Sequence, residues 1–212
     1  MGNSDLKLFV DAQFTSPYAL SAFVALQEKG LPHDLVCIDL ATQENRQTSY
    51  QQRSLTGRVP TLEHGEFALS ESSAITEYLE EIFPPPTYVA IYPQNQRDRA
   101  RARQVQAWLR SDLLSIRDER STTVIFHQPC DLPLSDRAQF AVETLFQAAE
   151  TLLQDHRLSL FGQWCIADTD LALMLNRLVA NGDRVPEPLA EYVQHQWQRP
   201  SVQAWLEQSK AV

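Results

Sequence analysis

The chain predicts a small α/β domain followed by an all-α domain, and three observations carry this. Residues 1–84 alternate short apolar runs with helix-period segments in the order β-α-β-α-β-β-α. Phe83-Pro84-Pro85-Pro86 then interrupts the pattern, because consecutive prolines cannot continue a helix and form a stiff extended connector. Beyond it no convincing strand pair occurs, while helix-period segments recur. The boundary falls near residues 84–92, giving domains 1–84 and 92–212.

Each element has a local reason. Leu6–Val10 is short, apolar and stopped by Asp11, which reads as a strand. Ser16 is a good N-cap and Pro17 a good first helical residue. The helix they open carries Tyr18, Leu20, Phe23, Val24 and Leu26 and ends at Gly30, with Pro32 against continuation. Leu35–Ile38 is a second strand, and the polar run Ala41–Ser54 a short irregular helix and loop. Arg58–Leu62 and Glu66–Leu69 flank His64-Gly65, a tight-turn signal for an antiparallel hairpin. From Ser72 to Ile82, Ala74, Ile75, Tyr78, Leu79 and Ile82 make an apolar helical face. In the second domain the helical segments are Arg97–Arg117, Ala138–Leu153, Thr169–Val179, Glu187–Gln196 and Val202–Gln208. Leu171, Met174, Leu175 and Leu178 form the buried stripe of the third.

Composition excludes several functions. The 212 residues carry a net charge of −9 and are 43% hydrophobic, enough for a substantial core. The acidity is uneven: 5 basic and 12 acidic residues in 1–86, against 13 and 15 in 87–212. General nucleic-acid binding, which needs a positive track along a backbone, does not fit. No run approaches a membrane span, and no basic segment followed by an apolar run opens the chain. Cys37, Cys130 and Cys165 contain no C-x-x-C pair, which fits a reducing compartment, and the five histidines show no metal-ligand spacing.

Three short segments carry candidate chemistry. Val59-Pro60 precedes a strand, where proline cannot donate to a ladder. A cis bond there turns the Val59 amide and carbonyl outward, able to pair with an extended peptide-like ligand; a trans turn before an edge strand is the alternative. Glu71-Ser72 opens a helix. The carboxylate can hold an ammonium group and Ser72 a carboxylate at the positive helix end, and plain capping competes. Ser16 can donate a hydrogen bond to a bound thiolate or simply cap its helix. Arg58, next to Val59, can meet a carboxylate, as can Arg53. Tyr92, Trp108, Arg117 and Arg120 are candidates to border an acceptor site. Asp168 reads as a carboxylate that satisfies free amides at a helix start.

In this order, Ser16-Pro17, Arg58-Val59-Pro60, Glu71-Ser72-Ser73-Ala74-Ile75 and Ala167-Asp168 resemble the cytosolic glutathione transferase family over nearly the whole chain. The likeness is to its serine-type members, and most to the bacterial YfcF-type proteins, through Ser16-Pro-Tyr, Leu26-Gln-Glu-Lys-Gly30, Gln106-Ala-Trp-Leu-Arg-Ser-Asp-Leu113 and the stretch from Trp164 to Met174. The resemblance implies a thioredoxin-like N-terminal domain with a mixed four-stranded sheet and an all-helical C-terminal domain. It implies glutathione as co-substrate and no metal. Ser16 would hydrogen-bond the sulfur, Val59 beside a cis Pro60 would pair with the cysteinyl unit, Glu71 and Ser72 would hold the γ-glutamyl end, and Arg58 would meet a glutathione carboxylate. The expected activity is conjugation to small hydrophobic electrophiles, with peroxidase activity toward organic hydroperoxides. A binding or interaction module with weak catalysis and a glutathione-dependent isomerase or lyase are the alternatives. A cytoplasmic homodimer is expected, without nucleic-acid or membrane partners. The chain departs from the family pattern at Cys165, where Ser or Thr usually stands three residues before the helical-domain aspartate.

Overall fold

A computed structural model describes residues 5–154 and 157–210. By contact the chain divides into two compact units, Met1–Ile91 together with Pro200–Val212, and Tyr92–Arg199.

The first unit is built on a four-stranded mixed sheet in the order β2-β1-β3-β4. Strand β1 (Leu6–Asp11) leads into helix α1 (Pro17–Glu28), which returns to β2 (Asp34–Ile38), parallel to β1. A 3-10 turn (Glu44–Arg46) and the short α2 (Thr48–Gln51) follow, then β3 (Thr61–His64), β4 (Phe67–Ser70) and α3 (Ser72–Ile82). β3 is antiparallel to both β1 and β4. The hairpin turns at Gly65, whose φ of +59° a side chain would resist. Alternation along β1 sorts its two faces. Leu6, Leu8 and Val10 are buried, as are Leu20, Phe23, Val24, Ile75 and Leu79 of helices α1 and α3. Phe9 points the other way and packs with Ile38, Tyr50, Val36 and Val59.

Two further features hold this unit. Lys29, the C-cap of α1, is fully buried: its ammonium pairs with Glu80 at 2.7 Å and donates to the Phe83 and Val89 carbonyls at 2.8 and 3.0 Å. Helix α10 (Pro200–Lys210), read from sequence as the end of the helical domain, packs on α1. Its Trp205 is buried between Phe14 and Phe23, and Ser201 donates to Glu28 at 2.5 Å.

The second unit contains α4 (Gln96–Ser111), α5 (Leu114–Glu119), α6 (Thr123–Phe126), α7 (Asp136–Leu152), α8 (Ile166–Val179) and α9 (Glu187–Trp197). The helix expected over Arg97–Arg117 is broken between α4 and α5. Leu113 adopts φ +58° and is buried, so packing overrides propensity at a position with no glycine or proline to announce it. Arg117 donates to the Leu109 carbonyl at 2.8 Å and to that of Asp112, closing the break. Leu171, Met174, Leu175 and Leu178 of α8 are all buried, as their spacing requires.

Candidate functional site

Strand register decides which segments meet. Phe9 lies opposite Thr61, and Thr61 opposite Ser70. Past this row β1 runs on through Asp11 toward Ser16, β3 is preceded by Val59-Pro60, and β4 runs on into Glu71. Ser16, Arg58-Val59-Pro60 and Glu71-Ser72, far apart in sequence, therefore leave the sheet at one end.

Ser16 is the N-cap of α1. Its hydroxyl oxygen accepts from the Ala19 amide at 3.2 Å, and its proton has no acceptor among the described residues. The loop before it is held from two sides. The buried carboxylate of Asp11 accepts from the Thr15 amide at 2.7 Å, the Thr15 hydroxyl at 3.0 Å and the Ser16 amide at 3.1 Å. Trp205 donates its indole N–H to the Phe14 carbonyl at 2.9 Å, fixing a residue whose φ is +52°.

The Val59–Pro60 bond is cis. The segment is fixed through the carbonyl of Arg58, which accepts from the Tyr50 hydroxyl at 2.9 Å, Ser54 at 3.2 Å and Thr61 at 3.3 Å. Burial, only partly offset by its hydroxyl partners, pushes the Tyr50 phenol above its ordinary pKa. Asn45 steadies the same loop through the Gly57 carbonyl at 2.8 Å. The two arginines part company here. Arg53 pairs with Glu63 at 2.5 Å and lies 5.8 Å from the centre of the Phe9 ring, whereas the exposed Arg58 guanidinium has no hydrogen bond or ion pair among the described residues.

Glu71 stands at the N-cap of α3 with φ 76° and ψ 116°, a region costing a non-glycine residue on the order of 1–3 kcal/mol. Its side chain is exposed and makes no capping bond. Ser72 follows as the first helical residue and is buried. A carboxylate held at the surface on a strained backbone, without a partner among the described residues, is available to a cation.

The helix start in the second unit is built oppositely. Cys165 is the N-cap of α8, and its sulfur faces the Ala167 and Asp168 amides. Asp168 accepts from the Cys165 amide at 2.9 Å, the Leu160 amide at 2.8 Å and the Tyr192 hydroxyl at 2.9 Å. The reciprocal box forms with sulfur in place of a hydroxyl. Burial outweighs these donors and pushes Asp168 up to about 6, and it raises Cys165 and Tyr192 further.

Other sequence candidates are absorbed by the architecture of this unit. Arg120 is buried and grips Asp183 at 2.7 and 2.9 Å, Arg117 bonds carbonyls of its own break, and the buried Tyr92 donates to Gln106 at 2.7 Å. Trp108 lies half-buried in a groove of about 480 Å³ between α4 and α7, with Val105, Ala148 and Leu152. Sequence reasoning missed Asp11, Tyr50, Thr61 and Trp205. Asp11 alone left a trace, as a charge at a strand end. Among the described residues no group of three or more His, Cys, Asp or Glu could hold a metal ion, and no helix is long and apolar enough to cross a membrane.

Comparison with known proteins bears on this arrangement. Residues 15–82 match the family model of the glutathione S-transferase N-terminal domain, and residues 95–211 that of the C-terminal domain. The crystal structure of a glutathione transferase homologue from Burkholderia gl BGR1 with bound glutathione is 46% identical, covers 98% of each chain and gives a TM-score of 0.80. Rat maleylacetoacetate isomerase is 30% identical over 183 residues, 84% of this chain and 80% of its own. Human glutathione S-transferase theta-2 is 31% identical over 103 residues, 49% of this chain and 41% of its own, so the match spans less than half of that relative.

Proposed function

Because the chain belongs to the glutathione S-transferase family, we propose that it conjugates the thiolate of glutathione to small hydrophobic electrophiles and uses the same thiolate against organic hydroperoxides. The observation that carries the reading is Glu71, strained, exposed and uncommitted at a helix start to which the sheet also brings Ser16 and Val59-Pro60. The Burkholderia homologue, bound to glutathione and 46% identical across the chain, supports it.

In this reading residues 1–84 hold glutathione and 92–212 form the helical domain. Glu71 takes the γ-glutamyl ammonium and the start of α3 at Ser72 its carboxylate, by charge and by helix-end amides. Val59 offers its amide and carbonyl to the cysteinyl unit, as an added strand would. Arg58 meets a second carboxylate with its free fork. Ser16 donates its uncommitted proton to the sulfur, favouring the thiolate at neutral pH, as for a serine-type member. The thiolate forms a C–S bond as the electrophile's leaving group departs with the bonding pair. With a hydroperoxide it attacks the terminal oxygen, the O–O bond breaks and the alkoxide leaves as an alcohol after taking up a proton. The glutathione sulfenic acid so formed condenses with a second glutathione to the disulfide, releasing water. We propose a cytoplasmic homodimer.

A second reading, a glutathione-dependent isomerase, is favoured by the likeness to rat maleylacetoacetate isomerase over 84% of the chain. It uses the same bound thiolate, which adds to a double bond and leaves again after rotation. Titration calorimetry with glutathione tests what both share, and absence of binding sinks both. Turnover of an aryl halide, an organic hydroperoxide and a cis-dienone acid then divides them. Transfer and peroxide reduction without isomerisation support the first reading, and isomerisation alone the second.

A further inference from the structure

Two adjacent hydroxyls, Thr15 and Ser16, precede Pro17, and both lie close enough in sequence to compete for one ligand atom. One carboxylate sorts them. Asp11, at the last position of β1 and 4% exposed, spends Oδ2 on the Thr15 amide at 2.7 Å and the Thr15 hydroxyl at 3.0 Å, and Oδ1 on the Ser16 amide at 3.1 Å. The Thr15 proton is thereby committed. The Ser16 oxygen is committed as an acceptor to the Ala19 amide at 3.2 Å, and that bond fixes the rotamer while leaving the hydroxyl proton. Asp11 holds Ser16 by its amide and not by its hydroxyl, so it is not placed to act as a base toward it. On the far side of the loop the Phe14 carbonyl is held by Trp205 at 2.9 Å.

We propose that Asp11 is a positioning residue for the thiol chemistry, withdrawing Thr15 and the loop amides from competition so that the Ser16 hydroxyl is the donor presented to the glutathione sulfur. The inference rests on the proposed role of Ser16. Burying a carboxylate at this point is costly unless it is fully hydrogen-bonded, and the three donors supplied by Thr15 and Ser16 meet that need. The side chain therefore couples the end of the sheet to the start of α1 through the two residues whose hydroxyls are at issue.

The test compares wild type, Asp11→Asn, Ser16→Ala and the double variant. Ionisation of enzyme-bound glutathione is followed by thiolate ultraviolet absorbance, alongside kcat and KM with an aryl halide. Asparagine keeps the shape and one acceptor oxygen. Asp11→Asn should lower kcat about tenfold and shift bound-thiol ionisation to higher pH, with glutathione KM changed less than about twofold. In the Ser16→Ala background it should shift ionisation no further, because Asp11 acts through Ser16. Unchanged ionisation in a folded Asp11→Asn, or an equal shift in both backgrounds, overturns the inference. If Ser16→Ala itself shifts nothing, the donor reading falls and takes this inference with it; if it shifts ionisation and Asp11→Asn does not, only the inference falls. Should Asp11→Asn fail to fold, Thr15→Val decides. Its bound thiol should ionise nearer to wild type than that of Ser16→Ala, and the opposite order overturns the proposal.

Discussion

The starts of helices α3 and α8 present similar chemistry to opposite ends. Each has an acidic residue beside a small polar one, and each could be read from sequence as a cap. At α8 the Asp168 carboxylate is buried and accepts from two amides and a tyrosine hydroxyl, with Cys165 completing the box. At α3 Glu71 is exposed, sits at φ 76° and caps nothing. The start of α1 lies between them: Ser16 caps through its oxygen and keeps its proton. A helix start whose carboxylate is consumed within the fold stabilises the fold. One that is held in an unfavourable conformation with its charge unspent is arranged for something outside it.

The largest effect expected from this contrast is on stability. Asp168→Ala strands two amides and the Tyr192 hydroxyl, and should cost about 3 kcal/mol in denaturant unfolding, while glutathione affinity per folded molecule holds. A cost below about 1 kcal/mol would show that the box is not the support described. The same carboxylate gives a pH signature. Its folded pKa is about 6 against an ordinary 3.8, with burial as the main cause. Between these values the folded chain holds a proton that the unfolded chain releases. This group's contribution is full below about pH 4 and is lost as pH rises through about 6, by up to about 3 kcal/mol. Thermal midpoints of wild type minus Asp168→Asn should trace that fall, and a flat difference would remove the burial argument.

Ser16→Ala should act the other way round. Loss of the cap costs about 1 kcal/mol of stability, but turnover with an aryl halide should drop by about tenfold to a hundredfold. The smallest effect is the most diagnostic. Glu71→Gly places at φ 76° the residue that tolerates it, and should raise unfolding stability by about 1 kcal/mol. A loss of stability would mean that Glu71 supports the fold after all.

Much of this could be read from residue order. Ser16-Pro17, Val59-Pro60 and Glu71-Ser72 were legible because prolines and helix starts act locally, and the stripe on α8 because its period is strong. The supports were not legible. Asp11 needs the loop to curl back over its own strand end, and Trp205 reaches Phe14 across 191 positions. The three hydroxyls on the Arg58 carbonyl come from α2, a loop and β3. The left-handed Leu113, which splits one expected helix into two, follows from burial and not from any breaker residue. Arg120, read as a candidate at an acceptor site, proved to be a buried partner of Asp183, a distinction that charge patterning alone does not make.

Titration calorimetry of glutathione into wild type and Glu71→Gly tests most directly the claim that a strained, unspent carboxylate marks the binding end of the sheet. The account predicts a variant that is more stable than wild type yet binds glutathione about tenfold more weakly, the loss of one charge-assisted contact. Equal or tighter binding by Glu71→Gly would contradict it.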